Sequence, residues 1–228
     1  MTKEEWMAFT KARESMYRFL GGIYLLEVDE KQLNALKKVS FPEVTGMEDS
    51  DMDLREGYQI LSEYVGNLKA EDLDDLAADY AKVFLAAGDA AGHAAFPYES
   101  VYVDKRHQVG GSTAMKMKAL YLERGFEPDP SMYRTMDDNI GLILQYMAIL
   151  CDEIMEAAEA DDPAKGKELL TEQRKFVKKH LTNWVFSFTS DIMKFSDTDF
   201  YRSIAKITNG FIKKETEYLK GGALWDTV

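Results

Sequence analysis

The side chains able to do chemistry are few and scattered. His93, His107 and His180 lie far apart, and none stands in a His-Glu-x-x-His or comparable spacing that would put two imidazoles on one helix face. His180 shares a segment with Leu181 and Trp184 and reads as a hydrogen-bonded histidine of a buried helix face. Cys151 is alone, so neither an internal disulfide nor a cysteine metal cluster is available. Asp137 and Asp138 have two readings. They are a carboxylate pair for acid/base or metal chemistry, or acids of a first helical turn that complement the helix dipole. Gly110-Gly111-Ser112-Thr113 lacks the Gly-Lys-Ser/Thr ending of a phosphate loop and a preceding strand, and reads as a turn entering a helix. From this set no catalytic residue, metal or cofactor is expected.

The elements that must position these residues are helices. Apolar residues recur at spacings of three and four. Met16, Phe19, Leu20, Ile23 and Tyr24 stripe a helix from about Lys3 to Leu26. Leu33, Leu36 and Val39 mark a short second helix, and Leu54, Tyr58, Leu61, Val65 and Leu68 a third. Leu73, Leu76, Tyr80, Val83 and Phe84 mark a fourth, with acids opposite. From Ala86 to Gly111 the period fails, and a structureless stretch of that length is often functional. A helix from Ser112 to Arg124 is followed by a break at Gly125–Pro130. Thr135 caps a predicted helix running to about Ala160, with Asp138 as its third residue. Asp162-Pro163 opens the next, which buries Phe176, Val177, Leu181, Trp184, Val185 and Phe188. Asp197 caps the last, from Phe200 through Leu219 to Gly221-Gly222. The expectation is all-α: a single globular helical domain over residues 1–228, with irregular loops near 86–111 and 125–134.

Composition bounds the function. A 228-residue chain that is 46% hydrophobic can bury a core without staples. Its net charge of −12 disfavours nucleic acid, which needs a positive field, and suits a soluble protein or the receptor of a basic peptide. Met1-Thr2-Lys3-Glu4-Glu5-Trp6 has no signal-peptide character. The longest apolar run, Ile140 to Cys151, is interrupted by Gln145 and too short to span a bilayer. A cytoplasmic location is expected.

Three blocks add a resemblance. They are Asp79-Tyr80-Ala81-Lys82-Val83-Phe84, Phe96-Pro97-Tyr98-Glu99-Ser100-Val101-Tyr102, and Asp138-Asn139-Ile140-Gly141. With Phe176-x-x-x-His180-Leu181-x-x-Trp184 and Phe200-Tyr201 they resemble, in order from about Leu73 to Leu219, the TorD/DmsD/NarJ family of redox-enzyme maturation chaperones, nearest its TorD/DmsD branch. The resemblance implies an all-helical protein that is not an enzyme. Such a protein binds the leader, in many cases twin-arginine, or the N-terminal region of a molybdopterin oxidoreductase catalytic subunit until cofactor is inserted.

It also implies peptide-binding positions at Tyr80, Val83 and Phe84, at Pro97, Tyr98, Ser100, Tyr102 and Gly110, and at Asp138 and Asn139. Glu99 and Asp138 would offer carboxylates, and Tyr98 and Tyr102 ring faces, to an arginine pair. The family's histidine is Asn139 here, which removes a titratable group, and the acid usual one turn later is Ile143. Positions often tryptophan in the export-leader branch are tyrosine. The alternatives are a NarJ-like assembly chaperone for a nitrate reductase subunit without a twin-arginine leader, or a metal- or nucleotide-dependent hydrolase using Asp137 and Asp138. Monomer and homodimer both remain open, since the irregular connections could serve as hinges for segment exchange.

Overall fold

The computed structural model of the chain describes residues 2–38, 51–69, 72–88, 92–129 and 134–221. In chain order the helices are α1 (Lys3–Leu25), α2 (Glu30–Leu36), α3 (Met52–Asn67), α4 (Asp72–Leu85), α5 (Glu99–Val103), α6 (Ser112–Arg124), α7 (Ile140–Glu159), α8 (Pro163–His180), α9 (Val185–Phe195) and α10 (Asp199–Gly221). The fold is all-α. Among the described residues the β pairing is one antiparallel bridge, between Tyr98 and Asn139. No helix among them is long and apolar enough to cross a membrane.

The chain clusters as two compact units. The first holds Met1–Leu25, Tyr98–Asn183 and Glu215–Val228; the second holds Leu26–Pro97 and Trp184–Lys214. In the first, α7 is apolar almost all round, so it is buried on nearly every side from Ile140 to Ala158, against α1 and α8. Its start is tied down by close backbone approach. A Cβ on Gly141 would lie 2.8 Å from the Gly21 carbonyl oxygen and closer still to the Leu25 Cγ. Backbone cannot retreat as a flexible side chain can, so Gly141→Ala is expected to lose about 1–3 kcal/mol. Thermal melting checks this; an unchanged midpoint would mean that α1 yields freely.

In the second unit, α4 buries Leu76, Tyr80, Val83 and Phe84 of the face its spacing predicts, with Leu73 half-buried, and it also buries Asp79, an acid the spacing had put opposite. The ring of Phe84 sits 5.1 Å from Tyr80, 5.4 Å from Tyr201 and 6.2 Å from Phe188, and these rings form the core of that unit.

Several sequence expectations shift. The stretch 86–111 contains the one-turn helix α5. The helix expected from Thr135 begins at Ile140, capped by Asn139, whose side-chain oxygen accepts from Gly141 N at 2.8 Å. Thr135 is diverted, its hydroxyl lying within hydrogen-bond distance of Asn139 Nδ2 and Tyr98 OH. The helix expected through Phe188 is two, α8 and α9. Thr182 N donates to the Val177 carbonyl and Thr182 Oγ1 to that of Lys178, so the ladder is closed off by its own side chain. The last helix starts at Asp199 rather than being capped by Asp197, because Asp79 takes the donors of that turn. Val39, Pro130 and Gly222 lie outside the described residues.

Candidate functional site

In the first unit two segments remote in sequence are stapled together. Tyr98 is extended (φ −128, ψ 128) and pairs with Asn139. Glu99 N donates to the Asp138 carbonyl at 3.0 Å, and Ser100 N to Asp138 Oδ2 at 2.9 Å. The chain then turns through α5. Gly110, with φ +88 that a side chain would strain, brings its N–H within 3.0 Å of Ser100 Oγ. Asp104 Oδ1 accepts from Thr113 Oγ1 at 2.6 Å and ties the loop to α6. His107 Nδ1 lies 2.8 Å from the Val101 carbonyl oxygen, so that nitrogen carries the proton.

Beneath this platform Glu99 and His180 form a buried pair, Nδ1 to Oε2 2.9 Å. His180 is thus the hydrogen-bonded structural histidine its segment predicts, with its ring 4.9 Å from Phe176. Its partner lies 81 residues away, which no local pattern could reveal. Asp138 is fully buried, and Oδ1 has no partner. Burial pushes its carboxyl above the ordinary value, while the hydrogen bonds from Ser100 pull it back. Tyr121, also fully buried with an unpartnered hydroxyl, is pushed well above a free phenol by burial and by Asp137, Asp138 and Glu99.

The raised carboxyl at Asp138 fixes a sign. The folded state holds that proton more tightly than the unfolded chain, so its contribution is present at low pH and lost as pH rises through the folded value. Asp138→Asn keeps a carbonyl for Ser100 N and removes the buried charge. Its stability relative to the parent is expected to grow as pH rises from about 4 toward neutrality. Melting temperatures across that range test this, and a difference that shrinks with pH would contradict it.

Of the positions singled out in the sequence, Tyr98, Glu99, Ser100, Tyr102, Gly110, Asp138 and Asn139 come together here. Glu99, Ser100, Gly110 and Asp138 are buried and committed to one another or to His180, and Asn139 is buried and committed to Gly141 N and Thr135, while Tyr98 and Tyr102 are half-buried. Tyr80, Val83 and Phe84 are core residues of the second unit, 6%, 0% and 1% exposed, and Pro97 ends a segment of it. Thr135 was read only as a helix cap, not as part of a site. Nothing in its local sequence pointed to Tyr98, 37 residues earlier. Asp137 is half-buried, and among the described residues no three His, Cys, Asp or Glu side chains are grouped to hold a metal ion.

Comparison with known proteins places the chain among named relatives. "Chaperone protein TorD" of Vibrio vulnificus (strain YJ016) is 25% identical over 221 residues, covering 96% of this chain and 99% of the relative. The protein of that name from Shewanella pealeana is 25% identical over 224 residues, 92% of this chain and 90% of the relative. That from Shewanella loihica is 26% identical over 217 residues, 92% and 93%. Residues 48–190 match the family described as nitrate reductase delta subunit, which also encloses the stapled segments, and the chain belongs to that family.

Proposed function

We propose that the protein is a cytoplasmic maturation chaperone for a molybdoenzyme. It binds the leader, of twin-arginine type, or the N-terminal region of the catalytic subunit while the molybdopterin cofactor is inserted. The observation that carries the reading is the joining of the Tyr98–Ser100 and Asp138–Asn139 segments into a rigid buried platform that offers two tyrosine faces, in a chain whose relatives bear a chaperone name. A holding protein needs a preorganised surface, since ordering a loop on binding subtracts from affinity. Ring faces of Tyr98 and Tyr102 suit arginine guanidinium groups. In this reading the protein is a binder rather than the hydrolase that would use Asp137 and Asp138, and what supports it is the chaperone name of the relatives together with the burial of Asp138 as the acceptor of Ser100 N–H.

The test is a pull-down from anaerobically grown source cells with the tagged protein as bait. Recovery of one molybdopterin oxidoreductase catalytic subunit, lost when its N-terminal segment is deleted, is expected; recovery of no redox subunit by abundant folded bait would refute the reading. Tyr98→Ala is expected to weaken binding of that segment about tenfold with little change in melting, as for an aromatic anchor at an interface. Wild-type affinity in both Tyr98→Ala and Tyr102→Ala would remove the tyrosines from the site.

A further inference from the structure

Between α5 and α6 the chain from Val103 to Ser112 wraps a cleft of about 520 Å³. Its lining joins two features that are uncommon together on a chain of charge −12. Val103 and Val109 line it while 37% and 42% exposed. Met136, 48% exposed, stands beside it with its sulfur 3.9 Å from where a Gly110 Cβ would be. Apolar side chains grouped at a surface mark a contact face, and methionine adapts to varied partners.

The charge there is reversed relative to the whole chain. Lys105 and Arg106 are exposed in the lining and have no ion-pair partner among the described residues. The one carboxylate in the lining, Asp104, already accepts from Thr113 Oγ1. α6 enters from Gly111 without a side-chain cap or an acid in its first turn, so its amide end adds positive potential.

We propose that this cleft seats an extended segment of the client in which an acidic side chain flanks apolar residues. The acid meets Lys105 and Arg106, and the apolar side chains meet Val103, Val109 and Met136. The inference rests on the client-binding reading above. It adds a restriction: the same cations repel an arginine pair, so a twin-arginine motif is excluded from this cleft and binds elsewhere.

The probes are fluorescein-labelled amidated peptides read by fluorescence polarisation against the full-length protein. One is Gly-Ser-Leu-Val-Glu-Leu-Leu-Gly-Ser; the others carry Lys for Glu, or Ser for each Leu and Val. The Glu peptide is expected to bind at least about tenfold tighter than either counterpart, and Lys105→Glu with Arg106→Glu to reverse the Glu-over-Lys preference. Val109→Asp should weaken the Glu peptide by a similar factor. These positions are exposed, so melting curves should stay unchanged and separate lost binding from lost fold. Equal affinity for the Glu and Lys peptides, or a preference untouched by the double reversal, overturns the inference. Equal binding of the Ser-substituted peptide also overturns it, leaving a simple anion site.

The pull-down keeps the two readings apart. A wild-type bait that recovers the oxidoreductase subunit while the peptides show no preference leaves the chaperone standing and removes the cleft. A bait that recovers no such subunit overturns the chaperone, and with it the assignment of the segment to a client.

Discussion

An alanine at position 79 is expected to remove about 3–5 kcal/mol of stability and to lower the melting midpoint by about 10 °C. Asp79 is 3% exposed on α4, and its carboxylate collects the donors of the turn between α9 and α10. Ser196 Oγ donates to Oδ2 at 2.7 Å, Asp197 N to Oδ1 at 3.0 Å, Thr198 N to Oδ2 at 2.9 Å and Thr198 Oγ1 to Oδ2 at 2.7 Å. Hydrogen bonds to a charged acceptor contribute about 1.5–3 kcal/mol each, but they share one anchor and do not add. Truncation also takes the acceptor from Asp197 N–H and leaves Thr198 N–H only the Ser196 hydroxyl at 3.3 Å. Asp79→Asn keeps one acceptor and turns an NH2 toward a donor, so it should fall between alanine and the parent. The nearby Lys82–Asp197 pair, 35% and 71% exposed, is screened by water, and Lys82→Ala should change stability by less than about 0.5 kcal/mol. Urea melts of the three variants decide the matter. A loss below about 1 kcal/mol in Asp79→Ala would show that the turn finds other acceptors.

Asp79 also shows where reading from the sequence stops. Helical spacing put the acids of that segment opposite its apolar face, and the resemblance placed Asp79 in a block with Tyr80 and Phe84. Neither could say that its partners lie about 120 positions on. Periodicity found the helices because burial of one face repeats every three to four residues, a local property. It misplaced the start of α7 because Thr135 and Asn139 are both good caps, and the choice was made by Tyr98, a tertiary partner. It ran α8 into α9 because no proline or glycine marks the Thr182 closure.

The candidate site divides in the same way. The blocks around Tyr98 and Asp138 could be named from the resemblance, but not which of their polar atoms face inward. Glu99 and Asp138 look equally available as carboxylates in the sequence. In the structure one is buried against His180 and the other under Ser100. What remains at the surface is Tyr98, Tyr102 and a cationic, apolar cleft whose lysine and arginine lie in the stretch that the sequence marked only by its lost period.

The second large effect is expected at Arg13, in the first unit. It is 3% exposed and faces Glu215, 2% exposed, in a bidentate pair: Nε to Oε1 2.8 Å and Nη2 to Oε2 2.7 Å. Gln173 Oε1 accepts from Nη2 at 2.8 Å, Tyr17 OH donates to Glu215 Oε2 at 2.6 Å, and the guanidinium lies 4.5 Å from the Tyr218 ring centroid. Burial works against the charge on Arg13, but the Glu215 carboxylate outweighs it and holds the guanidinium charged. Arg13→Ala takes the cationic partner from the buried Glu215 side chain and leaves it only the Tyr17 hydroxyl, a loss of about 3–5 kcal/mol. Arg13→Lys should lose less, since it keeps the charge but not the planar fork. Taking both charges away is a different experiment. Arg13→Met with Glu215→Leu removes two desolvation penalties along with their attraction and fills similar volume, so it should lose less than the Arg13→Ala single, with the remaining loss set by the Tyr17 hydroxyl and Gln173 Oε1 deprived of these partners. Thermal and urea melts of the two singles and the double close the cycle, with the double more stable than either single. A double as damaged as the sum of the singles would mean that the two charges are not coupled at all, and a double no better than the worse single would show that apolar packing cannot replace them.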